Sequence, residues 1–513
     1  MGIYIYFDAD PTQIKRTEWE HTFGDAMLVA QAGKLCSIKK EEYEGHAYYA
    51  GIPAARKQDD DWDGLEVSGE LGTGSMMEMH YIPRKFGVDM PEAVSGQSML
   101  ALYLDDPERY GLQQPDATHI LFNKTQGSRA HLPLLAMAIV FCDRFPDACY
   151  LSGDITAGQV YRAVRMAEGA LGRTIKPPPV YDMEQLLPRV RELAKDDELT
   201  AAKLFFAIFK GFRDEDFNSF VKEHFSTDTL YKMFCSRAAD ESIHRILKEW
   251  LLLDLPFIDV IRMLVADPEG PRHEPEKVIK SVLNAKLHIE NKNAYDAAYA
   301  DNHNDSPDDV KMQFSRAMAI MFGIRNFAVD RYIPLEQLKA DCKAVLGESV
   351  DVDTLFAEAQ TALDADEHRR DAEDLYEMID KSARERIMCD IWEMRDMFDW
   401  MPDSNTEPKL LTELEEFLKQ AYEVTTDTRI EFCSADRNRR IQMLARLGGD
   451  RFLLSQERWA DIFESVMDDT KMLRYITLFG IRLNGDGISE MARVLLYNSA
   501  LYDEIWCRVC DEA

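Results

Sequence analysis

Several features are scarce in this chain of 513 residues, and each scarcity narrows what the protein can be. No apolar run approaches the ~20 residues that cross a bilayer as a helix, and the longest, residues 133–142, reaches about half that length. The opening MGIYIYFDAD has neither a basic start nor an uninterrupted apolar core, so no secretory signal is expected. Tyr6 stands where a myristoylation motif wants Ser or Thr. The nine cysteines are odd in number and scattered, which excludes a secreted disulfide framework. Cys507 and Cys510 make the one close pair, and a lone CxxC supplies at most two metal ligands. The expected compartment is the cytosol.

Positive charge is also in deficit. Lys and Arg total 60 against 92 Asp and Glu, a formal net charge of −32. Such a field repels phosphate backbones and anionic headgroups, so neither nucleic acid nor membrane is an expected partner. It suits a basic protein partner, and it keeps the surface solvated. The hydrophobic content of 46% and aromatic content of 10% are enough to build real cores. A chain this long exceeds one ordinary core and divides into domains.

Glycine is unevenly spread. Of the 26 glycines, 17 precede residue 180 and nine follow it. Because glycine is costly inside helices, the first part reads as turn-rich and the second as helical. Lys176 is followed by Pro177, Pro178 and Pro179, a stiff segment that cannot continue a helix. The expected organisation is a mixed α/β or α+β domain over 1–176 with one mixed sheet, a linker at 177–181, and a large non-repetitive all-α region over 182–513. A break within that region is expected near 401–408.

Strands are expected at 3–7, 47–50, 76–82, 100–104, 119–122 and 149–152, from their β-branched and aromatic content. Helices are expected at 19–32, 131–145 and 154–171 in the first part. In the second, helices are expected at 199–212, 242–255 and 257–265, and at 310–322 behind the start signal Ser306-Pro307-Asp308-Asp309.

Candidate chemistry is sparse. There is no HExxH, no GxSxG elbow and no Gly-Lys-Ser/Thr phosphate loop. The segment from Gly69 to Ser75, GELGTGS, has the glycines of a phosphate-cradling loop, and a flexible hairpin connection is the plainer expectation. Asp364, His368 and Asp371 recur at helical spacing as metal ligands would, although their charged neighbours suit a salt-bridged exposed helix. A dense cluster comprises Met388, Ile391, Trp392, Met394, Met397, Phe398, Trp400 and Met401. It suits core, and if exposed it would bind a partner through Trp392, Met397, Phe398 and Trp400.

The sharpest local signal follows the first strand, where Asp8 and Asp10 alternate onto one face and Thr12 comes next. FDADPT resembles the first motif of haloacid-dehalogenase-like phosphohydrolases. That resemblance implies Asp8 as nucleophile, Asp10 as acid/base, a magnesium cofactor, and Asp154 as the later acidic ligand, with Lys124 a candidate for the lysine. The sequence departs from the family at Pro11 and at Gly158, where a second acid is expected. A parallel sheet with the first strand central would place Asp8 at a ligand-binding crevice. The two readings that follow are a non-catalytic interaction or regulatory protein needing no cofactor, and a magnesium-dependent phosphohydrolase.

Overall fold

A computed structural model describes residues 4–58, 62–89, 99–104, 118–125, 128–290, 329, 331–364, 397–402, 404, 408–449, 451–481 and 486–510. The first part holds β1 (Ile5–Ala9), α1 (Arg16–Ala32), β2 (Leu35–Tyr43), β3 (His46–Pro53), β4 (Arg56–Gln58), β5 (Asp63–Glu70) and β6 (Ser75–Pro83). It continues through α2 (Met99–Leu104), β7 (Thr118–Leu121), α3 (His131–Arg144), β8 (Cys149–Gly153) and α4 (Ala157–Leu171). Then come α5 (Met183–Leu193), α6 (Glu198–Ile208), α7 (Glu215–His224), α8 (Thr227–Ala238), α9 (Ile243–Leu252), α10 (Phe257–Val265), α11 (Pro275–Asn284), α12 (Leu335–Leu346) and α13 (Val352–Asp364). The last group is α14 (Pro408–Val424), α15 (Thr426–Ser434), α16 (Arg437–Gly448), α17 (Gln456–Glu464), α18 (Asp469–Phe479), α19 (Asp486–Tyr497) and α20 (Ser499–Cys510). The chain is therefore an α+β part followed by a long helical region, as its glycine distribution implies.

The expectation of one mixed sheet is corrected. Among the described residues there are two sheets, and every strand ladder in them is antiparallel. The first has the order β7-β1-β8. In the second, β3 pairs with β2, β2 and β4 share one edge of β5, and β6 takes its other edge. Residues 100–104, expected as strand, lie in α2, because Met, Leu and Ala are strong helix formers and no polar residue alternates with them. The expected helix at 310–322 lies outside the described residues.

Some of the acidic residues have a local structural use. Asp182, Asp197, Asp214, Asp436 and Asp468 each cap a helix by accepting from a backbone amide of its first turn. Their negative charge also suits the positive end of each helix.

Two compact units emerge: Met1–Ile155 with Gln159–Pro178 and Ser382–Ala513, and Thr156–Gly158 with Pro179–Lys381. In the first unit, β1 packs Phe7 against Phe141 of α3, and Trp19 of α1 stacks on that same ring at 4.2 Å. The terminal helices join this unit by packing on β3. Tyr48 meets Trp459 and Phe463, and Leu454 accepts from Gly51 N across the strand's edge at 2.8 Å. An exposed sheet edge is thereby covered. In the second unit, Phe205 is fully buried among Phe206, Phe209, Phe217, Phe220 and Phe225.

Candidate functional site

Antiparallel pairing decides what the three-stranded sheet presents. Ile5, Phe7 and Ala9 of β1 are fully buried, and Phe7 marks the side that packs on α3. Alternation sends Tyr4, Tyr6 and Asp8 to the opposite, front face. The registers fill in that face by rows. Tyr4 pairs with Lys124 on one side and, continuing the β1–β8 register, faces Asp154 on the other. Tyr6 pairs with Ser152, and the register between the Tyr4–Lys124 and Phe7–Leu121 pairs sets it opposite Phe122. Asp8 pairs with Tyr150 and, past an irregularity in the ladder, with His119.

One half of this face is aromatic and partly open. Tyr4 and Tyr6 stack at 5.5 Å, Lys124 lies 5.7 Å over the Tyr4 ring, and Phe122 is 52% exposed. On β6, the Met79 carbonyl accepts from Asn123 Nδ2, and the Met79 side chain is 54% exposed. Burial, with Tyr4 and Asp154 nearby, raises the Tyr6 hydroxyl above its usual pKa.

The other half is polar and closed. Asp8 is buried, and its Oδ1 bonds His119 Nδ1. A carboxylate on Nδ1 fixes the orientation of an imidazole, as it does for catalytic and metal-binding histidines. The nearest serine on this face, Ser152, lies across β1 and two residues along. Sheet spacing puts it roughly 12 Å from His119, beyond the reach of a Ser-His-Asp triad. Cys149, beside this pair, has its thiol pushed well above the usual pKa by burial, then by Cys142 and Asp8, so it is a packed thiol.

The residues singled out for phosphoryl chemistry are not brought together. Asp10 accepts from Thr12 N, Thr12 Oγ1 and Gln13 Nε2 at 2.9, 2.7 and 2.7 Å, which caps the short 3-10 turn Pro11–Gln13. Asp154 accepts from Tyr4 N at 3.1 Å and sits beside the start of β1. That is four residues from Asp8, or about 13 Å along an extended strand. Parallel strands would have set the ends of β1 and β8 side by side, whereas antiparallel strands set them apart. The three acids therefore do not fit one magnesium ion. Among the described residues no group of three or more His, Cys, Asp or Glu is placed to hold a metal. Lys124 sits over the Tyr4 ring in the first row, also away from Asp8.

The glycine loop after β5 holds an anion of its own. Glu70, 6% exposed, accepts from Gly72 N, from Thr73 N at 3.1 Å and from Thr73 Oγ1 at 2.8 Å. The amides that a phosphate would need are thereby engaged. Tyr497 closes over Gly74, where φ is +64° and a Cβ would lie 2.5 Å from its hydroxyl. Glu70→Gln is expected to cost about 1–3 kcal/mol, the worth of charge-assisted hydrogen bonds, read as a lower urea midpoint at unchanged slope.

In the methionine and tryptophan cluster, Met397, Phe398 and Trp400 are buried, in keeping with the core reading, and the exposure that a partner surface required is absent at these three residues. Asn498 satisfies the backbone of this buried segment. Its Nδ2 donates to the carbonyls of Met397, Phe398 and Trp400 at 3.0, 3.3 and 2.8 Å, while its Oδ1 accepts from Leu501 N. Trp392 lies outside the described residues, as do His368 and Asp371. Asp364 ends α13.

A groove of about 660 Å³ opens on the α1 side, lined by Glu18, His21, Asp25, Asp143, Arg144 and Arg173 among others. Its charges are internally paired, Arg173 with Asp25 and Asp143, and Arg144 with Glu18. No described helix is long and apolar enough to cross a membrane. No protein-family model, no curated protein and no solved structure matches this chain.

Proposed function

We propose that this chain is a non-catalytic, cytosolic interaction or regulatory protein that binds a basic protein partner. The observation that carries this reading is the aromatic half of the front face, where half-buried Tyr4 and Tyr6 stack and Phe122 in the row opposite Tyr6 is exposed. Rigid aromatic side chains in this grouping are the composition of binding hot spots, since they bring large apolar area at low entropic cost. The surplus of acidic residues would steer a basic partner toward the chain.

The test compares the wild-type chain with Phe122→Ala, Tyr6→Ala and Asp8→Asn for retention of partners at rising salt. Phe122→Ala and Tyr6→Ala are each expected to weaken the partner at least 10-fold with little change in melting temperature. Asp8→Asn is expected to keep it, and salt to weaken it in all. Equal retention by the wild type and both aromatic variants would remove this face from the reading. Magnesium with beryllofluoride, which mimics an aspartyl-phosphate, supplies the opposing arm. A rise in melting temperature that Asp8→Asn abolishes would replace binding by phosphoryl chemistry.

A further inference from the structure

Two histidines outside the front face have no role in that reading. His80 of β6 is 2% exposed and His131, at the start of α3, is 5% exposed. Neither His80 nitrogen nor His131 Nε2 completes a well-formed hydrogen bond, although the Lys124 backbone lies near His80 and the Gln159 side chain near His131; His131 Nδ1 lies 2.8 Å from Thr125 Oγ1. Ser128 Oγ, on the same connection as Thr125, is likewise buried without a partner. Buried polar atoms without well-formed partners are rare, and several on β6, on the connection and at the start of α3 call for an explanation.

Their position supplies one. The connection from β7 to α3 is tied to β6 by a few hydrogen bonds. Asn123 Nδ2 donates to Met79 O at 2.6 Å, Lys124 N to Glu78 Oε2 at 2.9 Å, Glu78 N to Lys124 O at 3.2 Å and Arg129 N to Ser75 Oγ at 3.3 Å. These bonds join the second sheet to the first, and the two histidines belong to β6 and to the end of this connection. We propose that His80 and His131 form an acid-sensitive latch, in which protonation of either ring parts β6 from the connection and loosens the junction of the two sheets.

The groups facing the rings decide the direction. Glu78 on β6 and the Lys124 backbone favour a proton on His80, but burial outweighs them and lowers its pKa to about 4. Burial, then the opposing effect of Gln159 on α4, then His80 itself, leave His131 at about 4 as well. An exposed histidine titrates near 6.5, so an opened junction binds more protons than a closed one between pH 6.5 and 4. The closed form is fully favoured above pH 6.5 and loses ground as the pH falls through that window. At pH 5 each ring shifts the opening equilibrium by about 30-fold.

Amide hydrogen exchange at pH 7 and pH 5, corrected for intrinsic rates, tests this on the full chain. Amides of β6 and β7 are expected to lose protection by about 30-fold or more at pH 5, with those of α6 in the second unit unchanged. In His80→Leu the loss should shrink by about 30-fold. An unchanged pH response in His80→Leu, or no response in the wild type, would overturn the latch. Should that variant fail to fold, NMR titration of the wild-type rings decides. Both staying neutral at pH 5.5 in the closed form supports the proposal, and titration near 6.5 with protection intact defeats it.

Discussion

Arg440→Met is expected to lower the stability of the first unit by about 3–5 kcal/mol, because it leaves several backbone carbonyls without a donor. Arg440 is 4% exposed and makes four hydrogen bonds at once. Its Nη2 donates to Cys433 O at 2.7 Å and its Nε to Ala435 O at 3.1 Å, satisfying carbonyls where α15 ends. Its Nη1 donates to Val466 O at 3.2 Å and to Asp469 at 2.5 Å, where α18 begins. The guanidinium also lies 5.0 Å over the Phe432 ring. Methionine fills the volume but leaves three carbonyls without a donor. Arg440→Lys should recover little, because one ammonium cannot reach acceptors spread around a planar fork. Urea unfolding followed by tryptophan fluorescence would read the loss, and recovery of most of it by lysine would mean that charge alone matters here.

Phe205→Ala should cost the second unit about 3–5 kcal/mol. Phe205 has no exposed surface, and its ring centroid lies between 5.6 and 6.1 Å from those of five other phenylalanines. The substitution removes a ring from the middle of this cluster and opens a cavity that helices on several sides cannot all collapse into. Phe205→Leu keeps much of the volume and should cost roughly half as much, about 1–2 kcal/mol. The two are distinguished by near-ultraviolet circular dichroism in a denaturant series. Equal losses for Ala and Leu would show that the ring stacking, rather than the filled volume, sets the cost.

The same contrast between local and distant causes explains which parts of the molecule were legible beforehand. Trp19, Phe23 and Ala30 of α1 recur at helical spacing, and all are buried. The apolar run in α3 is buried throughout, and β1, β6, β7 and β8 stand close to where their β-branched and aromatic residues suggest. These are properties of a few neighbouring residues, which is why composition and periodicity reveal them. Even β2 and β5 escaped that reading, because LCSIKKEEY and DGLEVSGE are too polar or too glycine-rich to resemble strands before they pair.

Asp8, Asp10 and Asp154 mark the limit. From sequence alone the three acids have the order of one catalytic constellation, and the alternation that puts Asp8 on a polar face holds in the structure. Whether the end of β8 lies beside the end or the start of β1 depends on strand direction, which no local pattern encodes. Antiparallel pairing sends Asp154 to Tyr4, and a turn of the chain gives the Asp10 carboxylate its own donors. His119 becomes the partner of Asp8 from 111 residues away. Met397, Phe398 and Trp400 pack inside the core, where Asn498, about a hundred residues on, satisfies their carbonyls. By itself the sequence determined the acidic balance, the helical second part and the amphipathic elements, all set by neighbours in the chain. Tertiary structure alone decided which polar groups meet and which faces stay open, because hydrogen-bond partners and burial depend on residues far apart in sequence.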